Sequence, residues 1–230
     1  MGDINIGQQI GDRFKGDKNV YSREAFQPPA AARKPATILL LSANAAGHPL
    51  LQLDQERRAI VEEVARSRGA ARLEVRPADA VRLDDLQRVL MRYKPIVVQF
   101  SGHGHPSDGI QVLDEFGQPR SVKPEALSEL FRILNRGLRC VVLNACHTDA
   151  QAEAIAWHVP CVVGMRRQVL DDTAIQFSKG FYRALADGRS IRTSFDLARN
   201  SLNLHDVPDS DVPRLIARPG DADRPLIEAR

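Results

Sequence analysis

Two short stretches decide the fold of this 230-residue chain: Ile96-Val97-Val98-Gln99-Phe100-Ser101-Gly102-His103-Gly104-His105 and Cys140-Val141-Val142-Leu143-Asn144-Ala145-Cys146-His147. Each is an apolar, β-branched run that ends on a reactive side chain, His103 in the first and Cys146 in the second. Such runs are typical of parallel strands buried on both faces, so both side chains are expected at the carboxyl edge of one sheet. A Cys beside an imidazole that can take its proton is a competent nucleophile. The two stretches therefore predict a thiol–imidazole dyad on neighbouring strands.

The rest of the chain alternates between apolar runs and amphipathic segments. Strands are expected at residues 36–43, 72–76, 110–113, 119–122, 159–165 and 214–218, and helices at about 52–67, 82–93, 124–136, 172–187 and 190–202. Pro77 is expected to end the second strand, Leu83 to face inward, and Thr148 or Asp149 to cap a short helix after Cys146. The regular β, α, β alternation indicates an α/β fold with a largely parallel sheet and helices on both faces.

Three segments differ in composition. Residues 1–35 form a leader with recurring Gly-Asp pairs, followed by a Pro- and Ala-rich linker. Residues 36–220 carry the α/β pattern and are predicted to be one domain, and residues 221–230 are predicted to be a tail. Residues 1–26 are too few to fold alone. They are interpreted either as a disordered leader or as short strands that dock on an upstream sensor or on copies of the same chain.

The composition limits the classes of partner. Hydrophobic residues make up 43% of the chain, and its formal charge of +3 comes from 32 basic and 29 acidic residues that are scattered rather than clustered. This distribution does not favour nucleic acid. No apolar run approaches the length of a membrane span, and residues 1–30 lack the layout of a signal peptide. We therefore expect a cytoplasmic protein with no nucleic-acid or membrane partner, and the odd number of three cysteines fits reduced thiols.

The cysteines and histidines also have interpretations without catalysis. Cys140 and Cys161 lie in or at the start of apolar strands and are interpreted as buried structural thiols. Zinc is an alternative for the reactive residues, since a His-x-His pair and a Cys-His pair offer acceptable ligands: His103, His105, Cys146 and His147. Glycines on both sides of the first His favour close approach of a substrate carbonyl over a metal cage, so no metal or cofactor is predicted. No motif surrounds the remaining histidines, His48, His158 and His205.

Five motifs, in order, resemble the bacterial CHAT branch of the caspase-like cysteine peptidases. They are Leu39–Asn44 leading into Leu53-Asp54-Gln55-Glu56, Phe100–Gly104, Leu143–Cys146, Val163–Met165 with Asp171 beyond it, and Phe181–Leu185. The resemblance covers roughly residues 36–220. It implies the caspase-hemoglobinase α/β fold and an endopeptidase that cleaves a protein partner in a regulated bacterial defence or cell-death pathway.

The resemblance also implies roles for single residues. His103 is implied to be the general base and acid and Cys146 the nucleophile, with the backbone N–H groups of Gly104 and Cys146 as the oxyanion hole. A donor placed where charge develops is often worth ~3 kcal/mol. The run Asn144-Ala145-Cys146-His147-Thr148 departs from the Gln-Ala-Cys pattern of caspases proper. The aspartate preference of animal caspases is therefore not transferred.

Charges of both signs lie in the loop after the predicted strand at 159–165. Asp171 or Asp172 is predicted to hold an Arg or Lys side chain of the substrate, and the alternative is that these residues only cap the helix that begins there. Arg166 and Arg167 favour the opposite, an acidic substrate. Only one sign can dominate the pocket.

Two other classes of function stay open at this point. One is a non-catalytic assembly module that is recruited through residues 1–26, and the other is a thiol-dependent acyl transferase or amidase. The dyad and its glycines favour the peptidase, because a fold used only for binding has no physical need of a strand-end His facing a strand-end Cys.

Overall fold

The computed structural model describes residues 34–227, so the predicted docking role of residues 1–26 lies outside the described part. The strands are β1 (Ala36–Ala43), β2 (Leu73–Ala78), β3 (Val97–Gly102), β4 (Gly104–His105), β5 (Gly109–Leu113), β6 (Pro119–Val122), β7 (Cys140–Asn144), β8 (Cys161–Met165) and β9 (Pro213–Ala217). The helices are α1 (Leu53–Arg66), α2 (Leu83–Tyr93), α3 (Pro124–Leu134), α4 (Asp149–Ala156), α5 (Asp171–Ala186) and α6 (Ile191–Leu204).

The main sheet runs in the order β2-β1-β3-β7-β8-β9. Its first five strands are parallel, and β9 closes the far edge antiparallel to β8. A small antiparallel sheet, β4-β5-β6, follows directly after β3. The predicted largely parallel sheet, the hairpin excursion after His103 and the edge strand near residue 214 are all found.

Helices cover both faces of the main sheet. Alternate residues of β1 point to opposite faces, so Ile38 belongs to the core beneath α1, α5 and α6, whereas Leu39 belongs to the core beneath α2, α3 and α4. Fully burying such a side chain stabilises the fold by roughly 1.5–3 kcal/mol. Two covered faces explain why the central strands are continuous apolar runs rather than alternating ones. Ala222 and Ile227 of the predicted tail are also buried in the first of these cores.

Three local predictions are wrong. The second strand does not end at Pro77 but continues to Ala78, because an edge strand tolerates a residue without an N–H. Leu83 does not face inward, since it is the first residue of α2 and 42% exposed. Thr148 precedes α4 without capping it: its hydroxyl lies 3.1 Å from the carbonyl oxygen of Leu143 and accepts the N–H of Met165 at 3.0 Å.

Among the described residues, no helix is both long enough and apolar enough to cross a bilayer.

Candidate active site

The two strand ends singled out in the sequence lie side by side. β3 and β7 pair in parallel with Ser101 opposite Asn144, and His103 and Cys146 each follow two residues later. Both side chains line one cavity of about 30 Å³ at the carboxyl edge of the sheet. Since a single water needs about 10–15 Å³ of such volume, the cavity has room for two or three waters.

The His103 ring is held by the loop that follows β1. Its Nε2 lies 3.1 Å from the carbonyl oxygen of Pro49. A carbonyl can only accept, so Nε2 carries the proton and donates it there. The ring also stacks on His48, with centroids 4.7 Å apart and planes inclined by 29°. This tautomer leaves Nδ1 as the unprotonated nitrogen of the imidazole.

The same surroundings lower the pKa of His103. Burial is the main cause, and the neighbouring His48 adds to it, whereas the Pro49 carbonyl and the Asp171 carboxylate partly oppose the shift. Burial disfavours the charged imidazolium because it removes water from the ring. His103 is therefore neutral and able to accept a proton at neutral pH.

The Cys146 thiol is half-buried and is fixed by the loop after β8. Its sulfur accepts the backbone N–H of Val169 at 3.4 Å and lies 3.8 Å from the Val169 carbonyl oxygen. The next residue, His147, has φ of +56°, a left-handed conformation that a side chain other than Gly seldom adopts. The backbone thus turns sharply just after Cys146, and strained backbone of this kind is common at functional sites.

Gly104 lies directly against the backbone of Cys146. A Cβ built on Gly104 would be 2.1 Å from the Cys146 carbonyl oxygen, which no real side chain tolerates. The absence of a side chain therefore lets two backbone segments meet at the cavity. The predicted oxyanion role of their N–H groups stays a prediction.

The two cysteines interpreted as structural lie in the core. Cys140 and Cys161 are opposite each other on β7 and β8, both fully buried and both free thiols. Burial raises the pKa of Cys140 well above its ordinary value and that of Cys161 to about 11. Neither thiol forms a thiolate readily at neutral pH.

The acidic residues of the predicted substrate pocket separate in the structure. Asp171 lines the cavity with the His and the Cys, and its Oδ2 accepts the backbone N–H of Gln52 at 2.9 Å, just before α1 begins. Asp172 is exposed and is not among the residues that line the cavity. No side chain caps the start of α5, where Leu170 occupies the N-cap position.

The basic residues of the same loop are engaged elsewhere. The Arg167 guanidinium pairs with Asp211 at 2.9 Å and with Asp209 at 2.8 Å, while Arg166 lies 3.5 Å from the Asp211 carbonyl oxygen. Two carboxylates therefore already compensate the charge of Arg167, which weighs against a role in attracting an acidic substrate. The sign of charge that the pocket selects stays a prediction.

Three contributors to this site were missed in the sequence. His48 and Pro49 follow the strand next to the His103 strand, and loops at the carboxyl ends of adjacent parallel strands meet. Glu56 also lines the cavity. It falls on the same helical stripe as Leu53 and Ile60, and a Glu on an inward-facing stripe was a usable signal.

The zinc alternative has no ligand set in the described residues. Between residues 34 and 227, no three His, Cys, Asp or Glu side chains gather closely enough to hold a metal ion.

The contact between the two imidazoles gives a direct prediction. His48→Ala should raise the pKa of His103 towards its ordinary value, because the ring loses part of its cover and the like charge beside it. NMR titration of the His103 ring measures the shift. His158→Ala is the control, since the His158 carbonyl accepts from Asn135 outside the cavity. An unchanged His103 pKa, or an equal rise in the control, would contradict this account of the stacked rings.

Two proteins with similar sequences are described as proteases. A Roc-COR-CHAT protease from an unknown prokaryotic organism is 23% identical over 135 residues, which are 56% of this chain and 13% of that protein. A probable protease from Gillisia limnaea (strain DSM 15749 / LMG 21470 / R-8282) is 26% identical over 114 residues, 47% of this chain and 20% of that protein. The chain thus spans less than a quarter of the length of either relative.

Solved structures show the same fold. A secreted C11 cysteine protease from Bacteroides thetaiotaomicron, in complex with an irreversible peptide inhibitor, superposes with a TM-score of 0.59 at 11% identity, covering 80% of this chain and 66% of that one. The Arg-specific cysteine proteinase gingipain R gives a TM-score of 0.57 at 11% identity, covering 82% and 48%. The predicted caspase-hemoglobinase α/β fold is confirmed.

The CHAT domain family model matches residues 18–215, which is most of the chain and begins before the domain start predicted at residue 36. The relatives, the fold and this match agree on the class of protein. The chain belongs to the CHAT domain family of caspase-like peptidases.

Proposed function

We propose that this chain is a cysteine endopeptidase in which Cys146 is the nucleophile and His103 the general base and acid. The observation that carries the proposal is that both side chains line one cavity at the ends of paired parallel strands. Membership of the CHAT family supports it. The protease relatives imply a protein as substrate, and a role in a bacterial defence or cell-death pathway rests on the family resemblance.

The chemistry follows from the tautomer of the imidazole. Because Nε2–H of His103 is bonded to the Pro49 carbonyl, Nδ1 takes the proton of the Cys146 thiol, and the thiolate attacks the carbonyl carbon of the scissile peptide. The N–H groups of Gly104 and Cys146 stabilise the tetrahedral oxyanion. When the C–N bond breaks, His103 returns the proton to the leaving amine.

A second half-reaction completes the cycle. Water attacks the thioester carbon while His103 takes one of its protons, and collapse of the second intermediate releases the carboxylic acid and the Cys146 thiol. The neutral state of His103, set by its lowered pKa, matches what a base at neutral pH requires.

The first test removes each member of the dyad. Cys146→Ala and His103→Ala should lower peptide cleavage by roughly 1000-fold or more without unfolding the protein. Cleavage is followed by mass spectrometry on a library of protein-derived peptides, with circular dichroism as the folding control.

The other two cysteines supply the matched controls. Cys140→Ala and Cys161→Ala should keep cleavage, and a thiol alkylating agent should label Cys146 first, because only its sulfur is partly accessible. Cleavage that survives Cys146→Ala would reject the proposal. A folded chain that cleaves no peptide but acts on small amides or transfers acyl groups would favour the other thiol-dependent enzymes, and complete inactivity would favour an assembly module.

Recognition of a basic side chain before the cut is the specificity that we propose, with Asp171 as the carboxylate that holds it. Its half-buried position on the cavity wall supports this assignment. The positive charge of Arg167, which would repel a basic side chain, is compensated by Asp209 and Asp211.

Exchange of Asp171 for Asn tests the charge alone, because the Asn oxygen can still accept the Gln52 N–H. Asp171→Asn should lower the ratio of kcat/KM for Arg over Leu before the cut on the order of 10-fold or more. Asp172→Asn, an equal loss of charge one residue along, is the comparison. Equal ratios in both variants and the wild type would mean that the pocket does not select by charge.

A further inference from the structure

Beneath the cavity lies a cluster of buried polar side chains. Its members are less than one-tenth exposed, and they come from four different elements: Glu56 on α1, Gln99 and Ser101 on β3, Asn144 on β7, and Ser178 on α5. We call these five residues the polar junction. The reaction scheme above uses none of them.

One oxygen atom joins four of the five members of the polar junction, and the fifth, Ser101, accepts from Nε2 of Gln99 at 3.0 Å. Oε1 of Glu56 accepts a hydrogen bond from Nε2 of Gln99 at 2.7 Å, from Oγ of Ser178 at 2.6 Å and from Nδ2 of Asn144. Bonds from amide and hydroxyl donors to a carboxylate are among the stronger ones in proteins. The two amide oxygens, in contrast, are buried without a partner, so the amides are oriented through their NH₂ groups.

The two amide donors lie on the two strands that carry the reactive residues. Asn144 is the last residue of β7, two positions before Cys146, and Gln99 lies on β3, four positions before His103. A carboxylate on α1 therefore ties the middle of β3 and the end of β7 to the same atom, and Gln99 also donates to Ser101 nearer the end of β3 at 3.0 Å. Asn144 also donates to the Ala174 carbonyl of α5 at 3.2 Å, which adds a second support for the Cys146 strand.

A buried carboxyl is an unusual choice for this place. Burial raises the pKa of Glu56, against the opposing effect of its hydrogen-bond donors. Burying a carboxyl group costs free energy unless its hydrogen bonds compensate for the water that it loses. Small displacements at a reaction site are costly, since a shift of ~1 Å can lower a rate by about 100-fold.

We propose that Glu56 is a positioning residue, which holds β3 and the end of β7 so that the His103 imidazole and the Cys146 thiol face each other. The inference rests on the dyad proposed above and extends it to a residue that acts through the two strands rather than in the reaction itself.

The decisive variant is Glu56→Met, which keeps the approximate size of the side chain and removes the shared acceptor. In this variant, the rate at which iodoacetamide alkylates Cys146 should fall by at least ~10-fold. The kcat for a peptide that the wild type cleaves should fall by at least ~10-fold as well, while KM changes little. Glu56→Gln retains one acceptor oxygen and should restore both rates to within about threefold.

Glu63 provides the matched control. It lies two turns further along α1 and is also buried, and its carboxylate accepts from Arg183 of α5 at 2.9 and 2.8 Å rather than from a strand residue. Glu63→Met should therefore loosen α1 from α5 and lower the unfolding temperature, yet leave alkylation of Cys146 at the wild-type rate. A merely structural role for Glu56 predicts the same result for both variants, and that result would overturn the proposal.

Two further outcomes are informative. If Glu56→Met does not fold, Ser178→Ala is the substitute variant, because it removes one of the three donors to Glu56. It should slow alkylation of Cys146 at least ~3-fold. An unchanged rate would overturn the positioning role. Alkylation does not depend on peptide cleavage. Cleavage that survives Cys146→Ala would therefore reject the proposed function, whereas wild-type alkylation in folded Glu56→Met rejects only the role of Glu56.

Discussion

The parallel register of β3 and β7 is the constraint on which the rest of the site depends. With Ser101 opposite Asn144, the chain leaves both strands at the same height, and His103 and Cys146 reach the same cavity. A slip of one residue would turn every side chain of one strand to the opposite face. The cores on the two faces resist such a slip, because it would exchange their buried residues. Register is thus held by apolar packing far from the chemistry.

Along β3 and β7 the polarity of the buried residues changes towards the carboxyl edge. β3 begins with Val97 and Val98, and its later residues include the buried Gln99 and Ser101; β7 ends on Asn144. Buried polar groups need partners, and the helices beside the sheet supply them. The polar junction is the consequence, and it makes α1 and α5 part of the support for the strand ends rather than a cover for the core alone.

Much of this arrangement was predictable from the chain, and the reasons are local. Apolar β-branched runs mark buried parallel strands, so the sheet, the two reactive strand ends and the interior positions of Cys140 and Cys161 follow from the residues themselves. Contacts between distant loops leave no such periodic signal. The stacking of His48 on His103 was not anticipated for this reason. The pairing of Arg167 with Asp209 and Asp211 joins segments that only the folded chain brings together.

The cavity lies where two loops from different strands meet. Its lining includes Leu51 from the loop after β1 and Val169 from the loop after β8, together with His103 and Cys146. The loop after β1 and the loop after β8 are joined there by the bond from the Gln52 N–H to Asp171. A carboxylate has two oxygens, so a basic side chain that pairs with Asp171, as proposed, can use Oδ1 while Oδ2 keeps the Gln52 N–H. Asp171 lies only two positions after Val169, whose N–H bonds the Cys146 sulfur. The proposed selection of the substrate and the placement of the nucleophile therefore depend on the same short segment.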